Sequence, residues 1–421
     1  MRFAAVAIAL IVAFATPWVI QLGAAQSFQT RPDFHLADYA KGWIWAAVLS
    51  ASILVWPIRP SMKLPILWAW LFRVSVALVG SIFYFNHYGS LDAYGYFAAR
   101  NTTLVLSDIG VFSGTQVIIG FVALLRRIVP DSFHAMNLTF AMIGMAGVYL
   151  FWRASEAFLG YSSLAIFYLL MMEPSLTFWT AGLGKDAVMV FAAGLYTYGV
   201  VAWWRTRIGS YLLLALTGVT MATVIRPWMG VILLGPAIIL IYGLQRHLFS
   251  RLITTAVVVA TVIEALPFLL SAFYLEAARD ITEQVATLSS RFNAGGSAGL
   301  LVVLPGPGDI IRYAPFGIFT ALFRPLPGEI MNPFGLMAGI ENLFLLGLLA
   351  RVLHRIRWTD FKDPLIGWAI GIVLCWGFTY AFISSQNFGS GVRYRTEIFP
   401  IFLGLLLYLG RANSIHLSGP R

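Results

Sequence analysis

Leu365-Ile366-Gly367-Trp368-Ala369-Ile370-Gly371-Ile372-Val373-Leu374-Cys375-Trp376-Gly377-Phe378-Thr379-Tyr380-Ala381-Phe382-Ile383 contains no charged residue. As a helix, such a run is long enough to cross the roughly 30 Å apolar core of a bilayer. Comparable blocks recur along the chain. Apolar segments fall near 3–23, 42–57, 64–86, 133–152, 160–176, 186–204, 208–225, 228–244, 252–274, 335–353, 364–384 and 397–410, so about twelve crossings are expected. Each should be helical, because lipid offers backbone N–H and C=O groups no other partner. The first block also fits a signal peptide: Arg2 precedes it and Gly23-Ala24-Ala25 resembles a cleavage site. Its length favours retention as a span.

Composition agrees with the segments. Of the 421 residues, 59% are hydrophobic, 15% aromatic and 11% charged, whereas soluble domains carry about 25% charged residues. A water-soluble globular protein is excluded, and an all-α polytopic membrane protein with one integral domain over 1–421 is expected. The single cysteine, Cys375, lies inside the quoted run, so neither a disulfide framework nor a cysteine metal site is expected. A net charge of +10 invites a nucleic-acid partner. In a membrane protein that excess is instead expected to hold the cytoplasmic loops.

Placing the N-terminus inside puts Arg59, Lys63, Arg153, Arg205, Arg207, Arg355 and Arg357 on the inner side, with Glu156, Asp360 and Asp363 among few acids there. The outer side then carries the two longest connections, 87–132 and 275–334, expected to form the site. Gly114–Ile128 reads as a helix lying in the membrane interface, and Pro305-Gly306-Pro307-Gly308 as a turn.

Several outer basic residues stand at expected helix ends in short motifs: Lys185-Asp186, Arg226-Pro227, and Gly391-Val392-Arg393-Tyr394-Arg395-Thr396-Glu397. Guanidinium forks take phosphate in bidentate fashion, so such a cluster at the outer lip suits a lipid-linked phosphate or pyrophosphate. Ordinary surface pairing with outer acids accounts equally well for many outer arginines. Among the acids, Asp92 stands out in Tyr88-Gly89-Ser90-Leu91-Asp92-Ala93-Tyr94-Gly95-Tyr96. In a helix Asp92, Tyr96 and Arg100 share a face. A partly desolvated carboxylate there can serve as general base; a helix cap or an ion pair with Arg100 is the structural alternative. Within the spans, Arg73 and Glu264 are charges that cost about 2.5–3.5 kcal/mol each to insert at a helix centre. A mutual structural pair is favoured over a transport relay.

Other signals are weak. Gly182-Leu183-Gly184-Lys185-Asp186 imitates a phosphate loop, but Trp179 stands where that motif needs Gly and Asp186 where it needs Ser or Thr. The six histidines are scattered, which argues against a histidine metal site.

With an acid on the first substantial outer loop, interfacial helices after it and a late basic motif, the chain resembles the GT-C superfamily of membrane glycosyltransferases. Trp179-Thr180-Ala181-Gly182-Leu183-Gly184-Lys185-Asp186, Phe323-Arg324-Pro325 with Asn332-Pro333-Phe334, and Arg393-Tyr394-Arg395 with Pro400 are similar to motifs of bacterial membrane proteins in surface-polysaccharide pathways. The resemblance implies a GT-C-like fold in a bacterial inner membrane, with its site facing the periplasm. It implies transfer of a sugar or oligosaccharide from a polyprenyl-phosphate donor to a glycan or lipid-linked acceptor. Asp92 would deprotonate or orient the acceptor hydroxyl. Lys185, Arg226, Arg324, Arg393 and Arg395 would hold the donor phosphate, with Tyr96, Arg100, Asp186 and Glu397 in support. A divalent metal is compatible with the family, and no other cofactor is required. Membrane lipid is an expected partner and nucleic acid is not. The nearest variant is a polysaccharide polymerase. A flippase for lipid-linked glycans is the rival from another class, and it would need inverted repeats and broken helices meeting at mid-membrane.

Overall fold

The computed structural model describes residues 18, 21, 36–80, 83, 92–99, 113–245, 247, 249–256, 297–299, 302 and 307–412. Among these residues every extended regular element is a helix, and the sole β-pairing is an isolated bridge between Ala298 and Asn387. All of the expected segment 3–23 but residues 18 and 21, and all of 252–274 beyond residue 256, with Glu264, lie outside the described residues, as does Arg100. The chain divides into two compact units, Met1–Pro227 with Ser418–Arg421, and Trp228–Leu417.

In the first unit the helices are α1 (Leu36–Ser52), α2 (Pro60–Ser75, continued by a π turn, Val76–Gly80), α3 (Asp92–Ala98) and α4 (Gly114–Leu125). They are followed by α5 (Phe133–Leu159), α6 (Leu164–Met171), α7 (Pro174–Thr180), α8 (Lys185–Thr206) and α9 (Ser210–Ile225). α5 starts cleanly because Ser132 accepts the Ala135 N–H, and it stops at Gly160, whose φ of 78° is a left-handed cap. α5 and α8 run parallel: Asn137 meets Leu183 at one end, and Arg205 stacks over Phe158 at the other. Their backbones touch at two glycines. A Cβ on Gly147 would come within 2.6 Å of Phe191 backbone, and one on Gly194 within 2.5 Å of the Gly147 carbonyl. This is small-residue packing of the kind that lets membrane helices approach closely.

Parallel neighbours force the connection between them to run back along their length. The sequence reads 160–176 as one span, but the return is made by two short helices, interrupted at Met172-Glu173. They descend α5 in reverse register: Trp152 donates to the Ser163 carbonyl, and Thr180 lies against Gly144. Pro174 supplies the break, since it has no N–H to continue α6, and the Glu173 carboxylate caps the new helix through the Leu176 N–H.

The second unit contains α10 (Pro227–Leu234), α11 (Ala237–Leu244), α12 (Pro307–Phe323), α13 (Pro333–Arg355), α14 (Pro364–Gln386), α15 (Phe388–Arg395) and α16 (Phe399–Leu409). α14, which contains the quoted run, has antiparallel neighbours. Trp228 donates to Tyr380 Oη while Pro236 packs on Gly371. Tyr313 donates to Ser385 while Gly317 meets Ala381. Residues 307–332, expected in an outer loop, therefore include a helix running back along α14. The chain then returns beside the first turns of α13, where Pro325 accepts from Asn342 and Pro327 packs on Gly339.

Among the described residues six helices are long and apolar enough to cross a membrane: Pro60–Gly80, Phe133–Leu159, Lys185–Thr206, Pro227–Leu244, Pro333–Arg355 and Pro364–Gln386. Gly114–Leu125, Ser210–Ile225 and Phe399–Leu409 are apolar but shorter. Large apolar side chains such as Val55, Leu213, Leu216, Ile340 and Phe344 stand exposed on the helix surfaces. Water tolerates such coverage poorly and lipid does not.

Candidate functional site

Five of the residues singled out from sequence gather at one end of the first unit. Asp92 opens α3 and is exposed, whereas Tyr96 on the same helix is buried. α3 is fixed there because Tyr94 stacks on Phe133, at 4.9 Å between ring centroids, and Phe97 meets the same ring edge-on. Lys185 opens α8, is half-buried, and donates to Thr115 on α4 at 2.9 Å. Its neighbour Asp186 is 2% exposed and accepts from Arg226, itself 5% exposed, at 3.3 Å. A Cβ on Gly114 would fall 2.2 Å from the Ile225 carbonyl, so the start of α4 rests directly on the end of α9, beside Arg226. The site end is thus built from the starts of α3, α4, α5 and α8 and the end of α9.

The opposite end of this unit has a different chemistry. Arg59 and Arg153 both reach Glu156. Arg205 covers Phe158, and Arg207, at φ 61°, covers Trp204 at 4.4 Å. These are residues that the sequence assigns to the inner loops, and the fold collects them at one end.

The remaining candidates belong to the second unit. Arg324 is clasped by Glu329, whose carboxylate also accepts the Leu326 N–H. Burial raises the Glu329 pKa, but the hydrogen bonds and charge of Arg324 with the Leu326 amide outweigh it, and the net shift is downward. Arg395 is 1% exposed; its Nη2 donates to Glu341 at 2.9 Å and its Nη1 to the Leu322 carbonyl. Arg393 is half-buried in the same turn. Glu397 is fully buried at the interruption between α15 and α16, accepting from Trp376 Nε1 and Tyr380 Oη at 3.3 Å each.

Glu341, Glu329 and Glu173 were not singled out from the sequence, although acids in or beside apolar segments are the signal that finds such partners. No group of three or more His, Cys, Asp or Glu side chains fit for a metal ion occurs among the described residues. The helical make-up, with apolar surfaces outside and ion pairs inside, is that of a membrane-embedded helical protein. Comparison with protein families, curated proteins and solved structures gives no match for the chain.

Proposed function

We propose that this chain is a bacterial inner-membrane glycosyltransferase that uses a polyprenyl-phosphate-linked donor on the outer face. The observation that supports it best is the gathering of the Asp92 helix, Lys185 and the Asp186–Arg226 pair at one end of the first unit, linked through α4. Lys185 stands at the first turn of a 22-residue helix whose Gly184 cap contributes no side-chain bond. An ammonium beside helix N-terminal amides favours a phosphate. In the proposed step the acceptor oxygen forms a bond to the anomeric carbon as the bond to the phosphate oxygen breaks. The phosphate keeps the electron pair, and Asp92 takes the acceptor proton, which is typically worth about 10²–10⁴-fold in rate. Lys185 and Arg226 offset the charge growing on the leaving phosphate.

Asp92→Asn tests this directly. It should abolish transfer of labelled sugar from a polyprenyl-phosphate donor at matched membrane levels while donor binding persists; wild-type turnover would remove Asp92 from the mechanism. The flippase alternative gains from one observation. α6–α7, α10–α11 and α15–α16 are interrupted helices, and buried glutamates, Glu173 and Glu397, stand at two of the breaks. A carrier would move labelled lipid across vesicles with no new glycosidic bond.

A further inference from the structure

One cation of the first unit takes no part in the cluster at its end. Arg73 lies in the last turn of α2 with no exposed surface. Its Nη1 donates to Thr180 Oγ1, whose hydroxyl donates in turn to the Leu176 carbonyl. Among the described residues Nε and Nη2 have no hydrogen-bond partner and no carboxylate pairs with the guanidinium. Glu173, the acid on the same interrupted segment, spends Oε2 on the Leu176 N–H, and it precedes Thr180 by about two helical turns.

A guanidinium in a dry interior needs a counter-charge and acceptors for its donors. The geometry of the unmet donors says which kind. Nε–H and one Nη2–H are parallel and point the same way, and that edge donates to two oxygens of one oxyanion. The opposite nitrogen is tied to Thr180, which fixes the direction in which the edge faces. α5 closes the other side. A Cβ on Gly144 would stand 2.6 Å from the Thr180 carbonyl and 3.2 Å from Nη1, so glycine lets Thr180 pack directly on α5 and brings the guanidinium into contact with that helix.

A second unmet donor lies on the same face of α5. Asn137 is fully buried, its Oδ1 accepts from the Leu183 N–H, and its Nδ2 has no partner. Seven residues separate Asn137 from Gly144, two turns or about 10 Å along the helix. Lys185 follows Leu183 by two residues. Along α5, from the end of the unit inward, the donors come in the order Lys185, Asn137, Arg73, and donors select an anion over a cation.

We propose that Arg73, held by Thr180 beside Gly144, anchors an oxyanion-binding site inside the first unit, and that its ligand is a phosphate group. The phosphate arrives either on an amphiphile or free. The site stands apart from sugar transfer, since a transferase and a carrier could both use it.

The test uses the purified full-length protein, with thermal unfolding and equilibrium binding measured against inorganic phosphate, a polyprenyl monophosphate, the corresponding alcohol and chloride. Phosphate-bearing probes should raise Tm, and the alcohol and chloride should not. Roughly tenfold tighter binding of the polyprenyl phosphate than of inorganic phosphate would identify the lipid as the source, whereas equal binding would identify free phosphate. Arg73→Gln should remove the response while leaving the ligand-free Tm no lower. Arg73→Lys keeps the charge and loses the fork, so it should weaken binding by about tenfold. Thr180→Val removes only the hydroxyl and should weaken it by a few-fold. The proposal falls if no phosphate probe shifts the wild type, or if Arg73→Lys and Thr180→Val both bind like the wild type. Those two variants decide the matter even if Arg73→Gln does not accumulate.

Discussion

Each unit buries an arginine almost completely, and the two are treated in opposite ways. In the second unit Arg395 meets Glu341 and the Leu322 carbonyl, so its charge is spent inside the protein. In the first unit Arg73 holds Thr180 and turns its remaining edge toward no acceptor. Burying a pair roughly breaks even against burying apolar groups of the same size, whereas leaving one charge alone is costly. Arg395 is therefore a scaffold residue, on which three segments around α12, α13 and α15 depend. Arg73, whose free edge meets no acceptor among the described residues, is the costlier of the two to bury.

The largest expected effect tests the scaffold side. Arg395→Met leaves the Glu341 carboxylate buried without its partner and should cost about 3–5 kcal/mol. It should be read as loss of folded protein in detergent or a sharp fall in unfolding temperature. Adding Glu341→Leu should restore most of that loss. A single variant as stable as the wild type would erase the contrast between the two arginines. Asp186→Asn is the intermediate case, because it removes the charge that faces Arg226 behind 2% exposure on the acid. It should cost on the order of 2–4 kcal/mol, measured by the same unfolding.

A smaller, pH-dependent effect is expected at Arg324–Glu329. The Glu329 pKa is lowered in the folded protein, so the clasp contributes above the ordinary carboxylate value of 4.5 and is lost as pH falls through the lower folded value. Glu329→Gln should lower stability at neutral pH by the clasp's contribution and flatten the acid limb of a stability–pH curve below 4.5. An unchanged acid limb would show the clasp to be an ordinary surface pair. The smallest test compares helix caps, one in each unit. Ser132 accepts from the Ala135 N–H at the start of α5, and Asn332 from the Gly335 N–H at the start of α13. Alanine at either should cost about 1 kcal/mol. A much larger loss at Ser132 would point to its second bond, to the Asp38 carbonyl.

The sequence by itself determined the helical, membrane-type make-up and most of the long helices. Uncharged runs near 20 residues leave the backbone one way to pair its own groups, and the boundaries of α8, α13 and α14 fall within a few residues of the apolar segments, while α5 starts with its segment and runs on to Leu159. The sequence also sorted basic residues into two sets, and in the first unit those sets occupy opposite ends. Only the tertiary structure decided where the chain breaks inside a span. Hydropathy sums over a window and does not register a proline-led interruption such as Met172-Glu173-Pro174. It alone also decided which charges are paired. Arg395 and Glu341 are 54 positions apart, and neither the periodicity of one helix nor a local motif reports a partner on another. Arg73 was legible as an anomaly because a charge in an apolar run is visible in any sequence. What surrounds it was not, since Thr180 and Gly144 reach it only once α2, α5 and α7 have packed.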